Sequence, residues 1–557
     1  MSRNMIVVMS MIAVLLLITA FIMTQDNDGE PATDGSDDTE TNDEVTEDVV
    51  EFDGDYGVST SNEQAQQVGM DVLDAGGNAV DAAIAVSLTL GVTEPYGSGI
   101  GGGGAMLVLD NPAADPDYYD YREESPAEGR ESQAGVPGFL RGMEHIHDEH
   151  GSLPLEDLIE PAIEYAEEGF EVDYMLANRL EYAGTINQPD GRIDPDAAEE
   201  FYPEGMALQE GQELVQPRLA ETLRQLRDEG FEDFYNGELA SEIAGDRSSI
   251  TEDDLDNYDV LETEPASGSF YGHQVYSGGP PTSGVTFIQM LQMAEQLEIY
   301  EHEPDSASFA HLFAQISDVA YDDRMSNIGD PNDVDVDVDD LTSEEHTQGL
   351  ADEVETDEVS VAGEEQEMVS EYSGDGNTTH IVVVDEEGRM VSATNTLSNF
   401  FGSGEMTDAG FFLNDVMSNF APEDLPPNNY DSGKRARSFI APSIFISEEQ
   451  ETVMGLGSPG GRRIPQIMGQ VLMNTVYFDG DIYEAMNYPR FVYSGQEGVD
   501  QIIIEGEWGD AETDAELSEL DYIVEERPTD VFFGGIQLLE VNYEDETVED
   551  INDERRD

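Results

Sequence analysis

Gly374-Asp-Gly-Asn-Thr-Thr-His380 runs directly into the apolar stretch Ile381-Val-Val-Val384, turns through Asp385-Glu-Glu-Gly388, and returns as Met390-Val-Ser-Ala-Thr-Asn-Thr396. Two β-branched runs about a short Gly-containing turn predict a hairpin. The first run is apolar on both faces, so it belongs between two layers. Thr378 then opens a buried strand immediately after a flexible, polar segment. A chain break at Asn377–Thr378 would give this threonine both a hydroxyl and a free α-amine. Such an amine titrates near pH ~8 and can take the proton of its own hydroxyl, making one residue nucleophile and base. A Thr-Thr-His at a strand start is by itself ordinary, so the weight falls on what surrounds it.

The composition narrows the function classes. The 557 residues include Asp+Glu 125 against Lys+Arg 21, a formal net charge of −104, while 38% hydrophobic content suffices for a large core. Self-repulsion on this scale opposes compaction in dilute buffer, and at molar salt the Debye length falls to ~3 Å. The expectation is a protein adapted to high salt. Nucleic acid is excluded as a partner because phosphate neutralisation needs basic patches. With no cysteine, disulfides, thiol nucleophiles and Cys-based zinc sites are excluded together.

At the N-terminus, Met5 to Met23 is apolar except for Ser10 and Thr19, with Arg3 before it. This length spans a bilayer as a helix; a cleaved signal peptide fits the same position. The absence of a small-x-small site favours an anchor over residues 1–24, with the bulk of the chain outside the cell. Residues 25–50 are an acidic spacer of disordered composition. A helix is expected over 60–75, N-capped by Thr60 or Ser61 and stopped by Gly76-Gly77. A second, over Ala79–Leu90, is apolar nearly all round and so should be buried. Gly97-x-Gly99-x-x-Gly102 matches a dinucleotide fingerprint only formally, because it follows a helix and precedes the strand-like Ala105–Leu109, the reverse of the required order. Helices are also expected over Pro154–Glu168 and Pro217–Glu229, the latter with proline in its first turn.

Asp333-Val-Asp-Val-Asp-Val-Asp-Asp340 invites a calcium reading, with Glu344 twelfth, but Val338 stands where the loop needs glycine, and a solvated acidic loop is preferred. Asp340 to Gly376 is read as an exposed acidic connector, a natural place for a chain break. Gly457-Ser-Pro-Gly-Gly461 lies between an apolar run and a helical one, and its consecutive N–H groups could serve as an oxyanion hole or simply as a turn. Lys434, Arg435, Arg437, Arg462 and Arg463 concentrate five of the 21 cations, either for an anionic substrate or for ion pairs. Arg122 suits bidentate carboxylate binding, with the same alternative.

Taken together the chain resembles the γ-glutamyltranspeptidase family of N-terminal-nucleophile hydrolases. The resemblance is carried in order by Gly69-Met-Asp-Val-Leu-Asp-Ala-Gly-Gly-Asn-Ala-Val-Asp-Ala-Ala83, Gly99-Ile-Gly-Gly-Gly-Gly104, Tyr121-Arg-Glu, Val136-Pro-Gly138, Gly279-Pro-Pro-Thr-Ser-Gly284, Gly329-Asp-Pro331, Thr378-Thr-His380, Gly457-Ser-Pro-Gly-Gly461 and Phe533-Gly-Gly-Ile-Gln537. It implies an α+β, four-layer αββα sandwich, self-cleaved into a large subunit (51–377) and a small catalytic subunit (378–557). It requires no cofactor or metal. It further implies Thr378 as nucleophile, Thr396 supporting it, Gly460 and Gly461 as oxyanion-hole residues, and Arg122 as the clamp on a glutamyl α-carboxylate. Four positions depart from the pattern. Asn419 stands where an acidic residue usually holds the substrate α-ammonium, with Val416 beside it in place of a polar residue. In the serine pair on the α-carboxylate Ser438 remains but Phe439 replaces its neighbour, and Ser398 replaces a common asparagine. Only thirteen residues separate Phe420 from Lys434, too few for a lid loop. The expectation is a γ-glutamyl amidohydrolase or acyltransferase with an open cleft. The alternative substrates are poly-γ-glutamate or a dicarboxylate N-acyl compound without a free α-amine, and the alternative of another class is a non-catalytic surface scaffold.

Overall fold

Every residue of the strands Thr378–Val384 and Met390–Thr396 is buried, and the reason is that each face meets a different layer. Ile381, Val383, Val391 and Ala393 pack into one core with Met106, Val108 and the helix Ala79–Thr93. Val382, Val384 and Met390 pack into another with Ile444, Val453, Leu539 and Val541. The period-2 alternation of a strand is thus apolar on both sides because both sides are inside. A computed structural model describes residues 52, 54–127, 133–184, 193, 199–245, 249–356, 378–422, 425–447, 451–478, 480–496, 499–506, 508–551 and 553–556.

Two six-stranded antiparallel sheets stack face to face. The first runs, in spatial order, Gly57–Thr60, Thr378–Val384, Met390–Thr396, Gly103–Leu109, Asp117–Asp120 and Leu261–Thr263. The second runs Thr547–Asp550, Gln537–Asn542, Thr452–Gly457, Ser443–Ser447, His273–Ser277 and Ala266–Phe270. Helices Glu63–Asp74 and Ala79–Thr93 cover the outer face of the first sheet. Gly284–Gln296, Ala307–Asn327 and Ile464–Tyr477 cover that of the second through Phe445, Met454, Leu456 and Leu538. This is the expected α+β, four-layer αββα arrangement.

The hairpin is closed by chemistry local to its turn. Asp385 accepts hydrogen bonds from the N–H groups of Glu387 and Arg389 through Oδ1, both at 3.0 Å, and from Ala79 N through Oδ2 at 2.9 Å. One carboxylate therefore fixes the turn and meets the N-terminus of the buried helix, where a negative charge is favoured.

Several local expectations need correction. The first helix is Glu63–Asp74, capped by Asn62 rather than Thr60 or Ser61, because Thr60 is the last residue of an edge strand paired with Ile381. The run from Pro154 divides into Leu155–Leu158 and Glu160–Glu168. The start of the acidic connector is not an exposed coil: Val338–Leu341 and Glu344–Ala351 are helical, and Leu341, Leu350, Ala351 and Val354 enter the second outer core. The remainder of that connector, from residue 357, and the segments 1–24 and 25–50 lie outside the described residues. Among the described residues no helix is long and apolar enough to cross a membrane.

Candidate active site

The hairpin register places Thr378 opposite Thr396, and Thr396 opposite Gly103 on its other side. The two threonine hydroxyls lie 3.2 Å apart, and both residues are buried, 3% and 4% exposed. Ser398 N–H donates to Thr396 Oγ1 at 3.0 Å; Ser398 itself has φ of 70°, a left-handed conformation that non-glycine residues adopt at a cost. Ser398 thus serves Thr396 through its backbone, on a strained turn.

Strand alternation directs Thr378 and His380 towards the second sheet and Thr379 towards the helices, where its hydroxyl donates to Ser98 Oγ at 3.0 Å. His380 Nδ1 lies 2.8 Å from Thr394 Oγ1, while its buried Nε2 has no partner. Burial drives the pKa of this imidazole down to about 3, because the charged form would have to be desolvated. His380 is therefore neutral, and its hydrogen-bonded nitrogen faces Thr394 rather than the candidate nucleophile.

The opposite sheet meets this histidine at Gly457, where a side chain would overlap the His380 ring. Gly457 ends the strand that leads into Ser458-Pro-Gly-Gly461, so the loop begins directly against the strand that Thr378 opens. Gly460 has φ of 143° and Gly461 φ of 56°, a run of left-handed backbone that glycine adopts freely. The loop passes into a short 3₁₀ turn, Gly461–Arg463, and then the helix Ile464–Tyr477.

Arg122 continues the row across the first sheet. A side chain on Gly103 would come 2.7 Å from Arg122 Cα, which puts Thr378, Thr396, Gly103 and Arg122 in lateral succession. The guanidinium is 1% exposed and held by Asp120, with Nε at 3.2 Å from Oδ1 and NH2 at 3.0 Å from Oδ2. Its NH1 donates to Ala436 O at 2.7 Å. Arg122 thus already carries an internal carboxylate partner. That partner lies only two residues before Arg122, at the end of the strand Asp117–Asp120.

Ala436 leads to the remaining positions. Asn428 accepts from Arg437 N at 2.8 Å and donates its amide to Asn419 O at 2.8 Å, bridging the segments that carry Asn419 and Ser438. Asn419 and Ser438 are half-buried. Ser438 O accepts from Arg324 NH2 at 2.6 Å, and the half-buried Phe439 ring lies between Arg324, 4.9 Å away, and Tyr321, 6.1 Å away. Tyr321 OH donates to Arg462 O at 2.6 Å, which returns the chain of contacts to the glycine loop. The sequence-identified positions thus belong to one connected assembly, although no direct hydrogen bond joins Asn419, Ser438 or Phe439 to the threonine pair among the described residues. The basic concentration divides its roles. Lys434 Nζ lies 2.6 Å from Asp333, and Arg435 lies 2.7 Å from Glu124 and 3.7 Å from Asp120, so these two cations serve ion pairs. The first aspartate of the calcium-like stretch is accordingly a lysine partner. Asp415, a buried carboxylate 3.2 Å from the Asn399 amide, is a further polar group beside the Asn419 segment; composition gave no signal for it in so acidic a chain.

Comparison with known proteins agrees with this architecture. The sequence profile of the family described as Gamma-glutamyltranspeptidase matches residues 65–557. The capsule biosynthesis protein CapD proenzyme of Bacillus anthracis is 40% identical over 505 residues, covering 90% of each chain. A glutathione hydrolase proenzyme of Bacillus subtilis is 30% identical over 546 residues, again 90% of each. Among solved structures, a cephalosporin acylase from Bacillus halodurans superposes with a TM-score of 0.77 at 25% identity, covering 96% of this chain and 98% of that one.

Proposed function

The chain belongs to the gamma-glutamyltranspeptidase family, and from that premise we propose that it is a self-processing threonine amidohydrolase or acyltransferase acting on γ-glutamyl-type amides. The observation that carries the reading is the buried hydroxyl pair of Thr378 and Thr396, 3.2 Å apart at the mouth of a strand. In maturation Thr378 Oγ1 attacks the carbonyl carbon of Asn377. The C–N bond breaks, an ester forms, and the α-amine is released. Water then hydrolyses that ester, leaving the Asn377 carboxyl and a free N-terminal Thr378. In turnover the α-amine accepts the hydroxyl proton as Oγ1 attacks the substrate amide, then returns it to the departing amine. Water or an amine acceptor completes the cycle from the acyl-enzyme. The neutral His380, turned towards Thr394, leaves the base role to the α-amine. Gly460 and Gly461 are the proposed oxyanion donors; a well-placed donor is worth about 3 kcal/mol. The names of the relatives, a glutathione hydrolase proenzyme among them, support both the proenzyme and the γ-glutamyl parts of the reading.

The test is N-terminal sequencing of the smaller fragment. It should begin at Thr378, and Thr378→Ala should remain one uncut chain. Cleavage elsewhere, or normal cleavage of that variant, refutes the assignment. Asn419 favours a second substrate reading within the same chemistry. A neutral amide offers an ammonium only an ordinary hydrogen bond in place of a charge-assisted one, which suits poly-γ-glutamate or a dicarboxylate acyl group. A γ-glutamyl anilide and its glutaryl counterpart should then be turned over at comparable rates, and a strong preference for the free α-amine would reject this reading. We also propose a single N-terminal span, residues 5–23, with the catalytic part outside the cell, supported by the length of that run and by Arg3.

A further inference from the structure

The far edge of the first sheet carries a cluster that the proposed chemistry does not use. The helix Phe139–His150 ends in His145-Ile-His-Asp-Glu-His150, which concentrates three of the chain's 8 histidines in six residues. His145 and Glu149 stand one helical turn apart and face Glu262 on the edge strand Leu261–Thr263. His145 Nε2 is 2.6 Å from Glu262 Oε1 and 4.0 Å from Glu149 Oε1. One ligand atom from each of the three lies within 4.8 Å of the other two. Behind them Tyr119 OH donates to Glu149 Oε2 at 2.8 Å and lies 2.7 Å from His150 Nε2, itself 3.6 Å from Asp117 Oδ2. Tyr119 and Glu262 are register partners across the two strands, so sheet pairing holds the facing carboxylate in place.

We propose that His145, Glu149 and Glu262 form a binding site for a borderline divalent cation of the zinc type, separate from the threonine pair. Three arguments distinguish it from the acidic surface at large. Carboxylates alone favour hard cations, whereas an imidazole nitrogen in the donor set moves preference towards zinc and its neighbours. The ligand atoms are spaced so that modest side-chain rotation brings each to the ~2.0–2.2 Å expected of Zn–N and Zn–O bonds. The cluster also lies at the C-terminal end of a helix, where the backbone dipole favours positive charge. Tyr119, itself held by His150, supplies Glu149 with the kind of outer hydrogen bond that orients such a ligand. His145 is 32% and Glu262 52% exposed, so an ion reaches them from solvent. The bound ion would tie the helix to the edge strand. Tyr119 pairs with Met106, Met106 with Ala393 and Ala393 with Ile381. At ~4.8 Å per strand the site is about 19 Å across the sheet from the strand of Thr378.

The test uses the mature, chelator-stripped enzyme in molar potassium chloride with excess Mg²⁺, titrated with Zn²⁺ by calorimetry and with Co²⁺ by visible absorption. One saturable equivalent is expected, with the d–d bands of a low-coordinate cobalt centre and a Tm raised by a few degrees. His145→Ala and Glu262→Gln should each weaken binding about tenfold or more and abolish the rise in Tm, with anilide turnover unchanged in both. The proposal is overturned by absence of saturable uptake, by uptake and cobalt spectra unchanged in both variants, or by Mg²⁺ competing on equal terms. Metal uptake is measured without reference to turnover, so the result is independent of the function proposed for Thr378.

Discussion

At the scale of single residues, the threonine pair is where a small change has a calculable effect. Thr396→Val keeps the branched shape and removes the oxygen that faces Thr378 Oγ1 and accepts from Ser398 N. One hydrogen bond of ordinary worth is lost at the proposed nucleophile, so kcat should fall about tenfold, with Tm little changed. A stopped anilide assay beside a melting curve checks the split; a collapse of Tm at unchanged kcat would make Thr396 structural only. Glu123 offers a test of the electrostatics beside Arg122. It is 1% exposed, its Oε1 has no partner, and burial pushes its pKa up to about 7. The folded protein therefore binds more protons than the unfolded chain between about pH 4.5 and 7, and stability must fall as pH rises through that window, by up to about 1.4 kcal/mol per unit. Glu123→Gln removes the ionisation but keeps the shape. The variant should match the parent near pH 4.5 and melt higher above pH 7, and equal melting curves at both ends would show that Glu123 is not held protonated.

At the scale of elements, the contact that matters most is between strands of different sheets. Gly457 and His380 fit only because one of them lacks a side chain, and this fixes the approach of the glycine loop to the strand opened by Thr378. Gly457→Ala forces one strand away. The cost of such overpacking is about 1–3 kcal/mol, and catalysis should suffer beyond what stability explains, since Gly460 and Gly461 shift with the strand. Measuring Tm and kcat together, at a temperature where the variant is fully folded, separates the two effects; unchanged kcat would disconnect the loop from the reaction. This contact also marks where reading the sequence stops. The hairpin, the buried helix Ala79–Thr93 and the strand–loop–helix around Gly457 were legible because each is written in local periodicity and turn residues. Asn428 bridging Asn419 to Arg437, and Gly457 meeting His380, were not, because each depends on register between segments that are remote in the chain or joined only through a third residue. The described start of the acidic connector, from Asp340 to residue 356, was not legible for a different reason. Its charge dominates the composition, while the few apolar side chains that decide its structure, Leu341, Leu350 and Val354, fill the outer core of the second sheet.

For the molecule as a whole, the question is how a chain of net charge −104 holds two stacked sheets together. The cores are apolar, and at the C-terminal end of the chain buried charges are matched locally. Arg490 pairs with Asp553 at 2.7 Å, and Arg555 with Glu505 at 2.6 Å and Asp553 at 3.0 Å. Such pairs are desolvated, and bulk salt changes them little. The excess carboxylates are different: they repel one another through solvent, and the repulsion grows on compaction. Raising salt from about 0.1 M to 1 M shortens the screening length from ~10 Å to ~3 Å and removes most of that repulsion from the folded state. Tm should therefore rise steeply with potassium chloride up to about molar concentration and then flatten. The same rise should appear with sodium chloride, since screening depends on ionic strength rather than ion identity. Replacing a block of exposed acidic residues by Gln or Asn, away from Thr378 and from Glu149 and Glu262, should lift Tm at low salt and leave the high-salt plateau in place. A Tm independent of salt over this range would mean that the acidic surface does not set the stability of this fold.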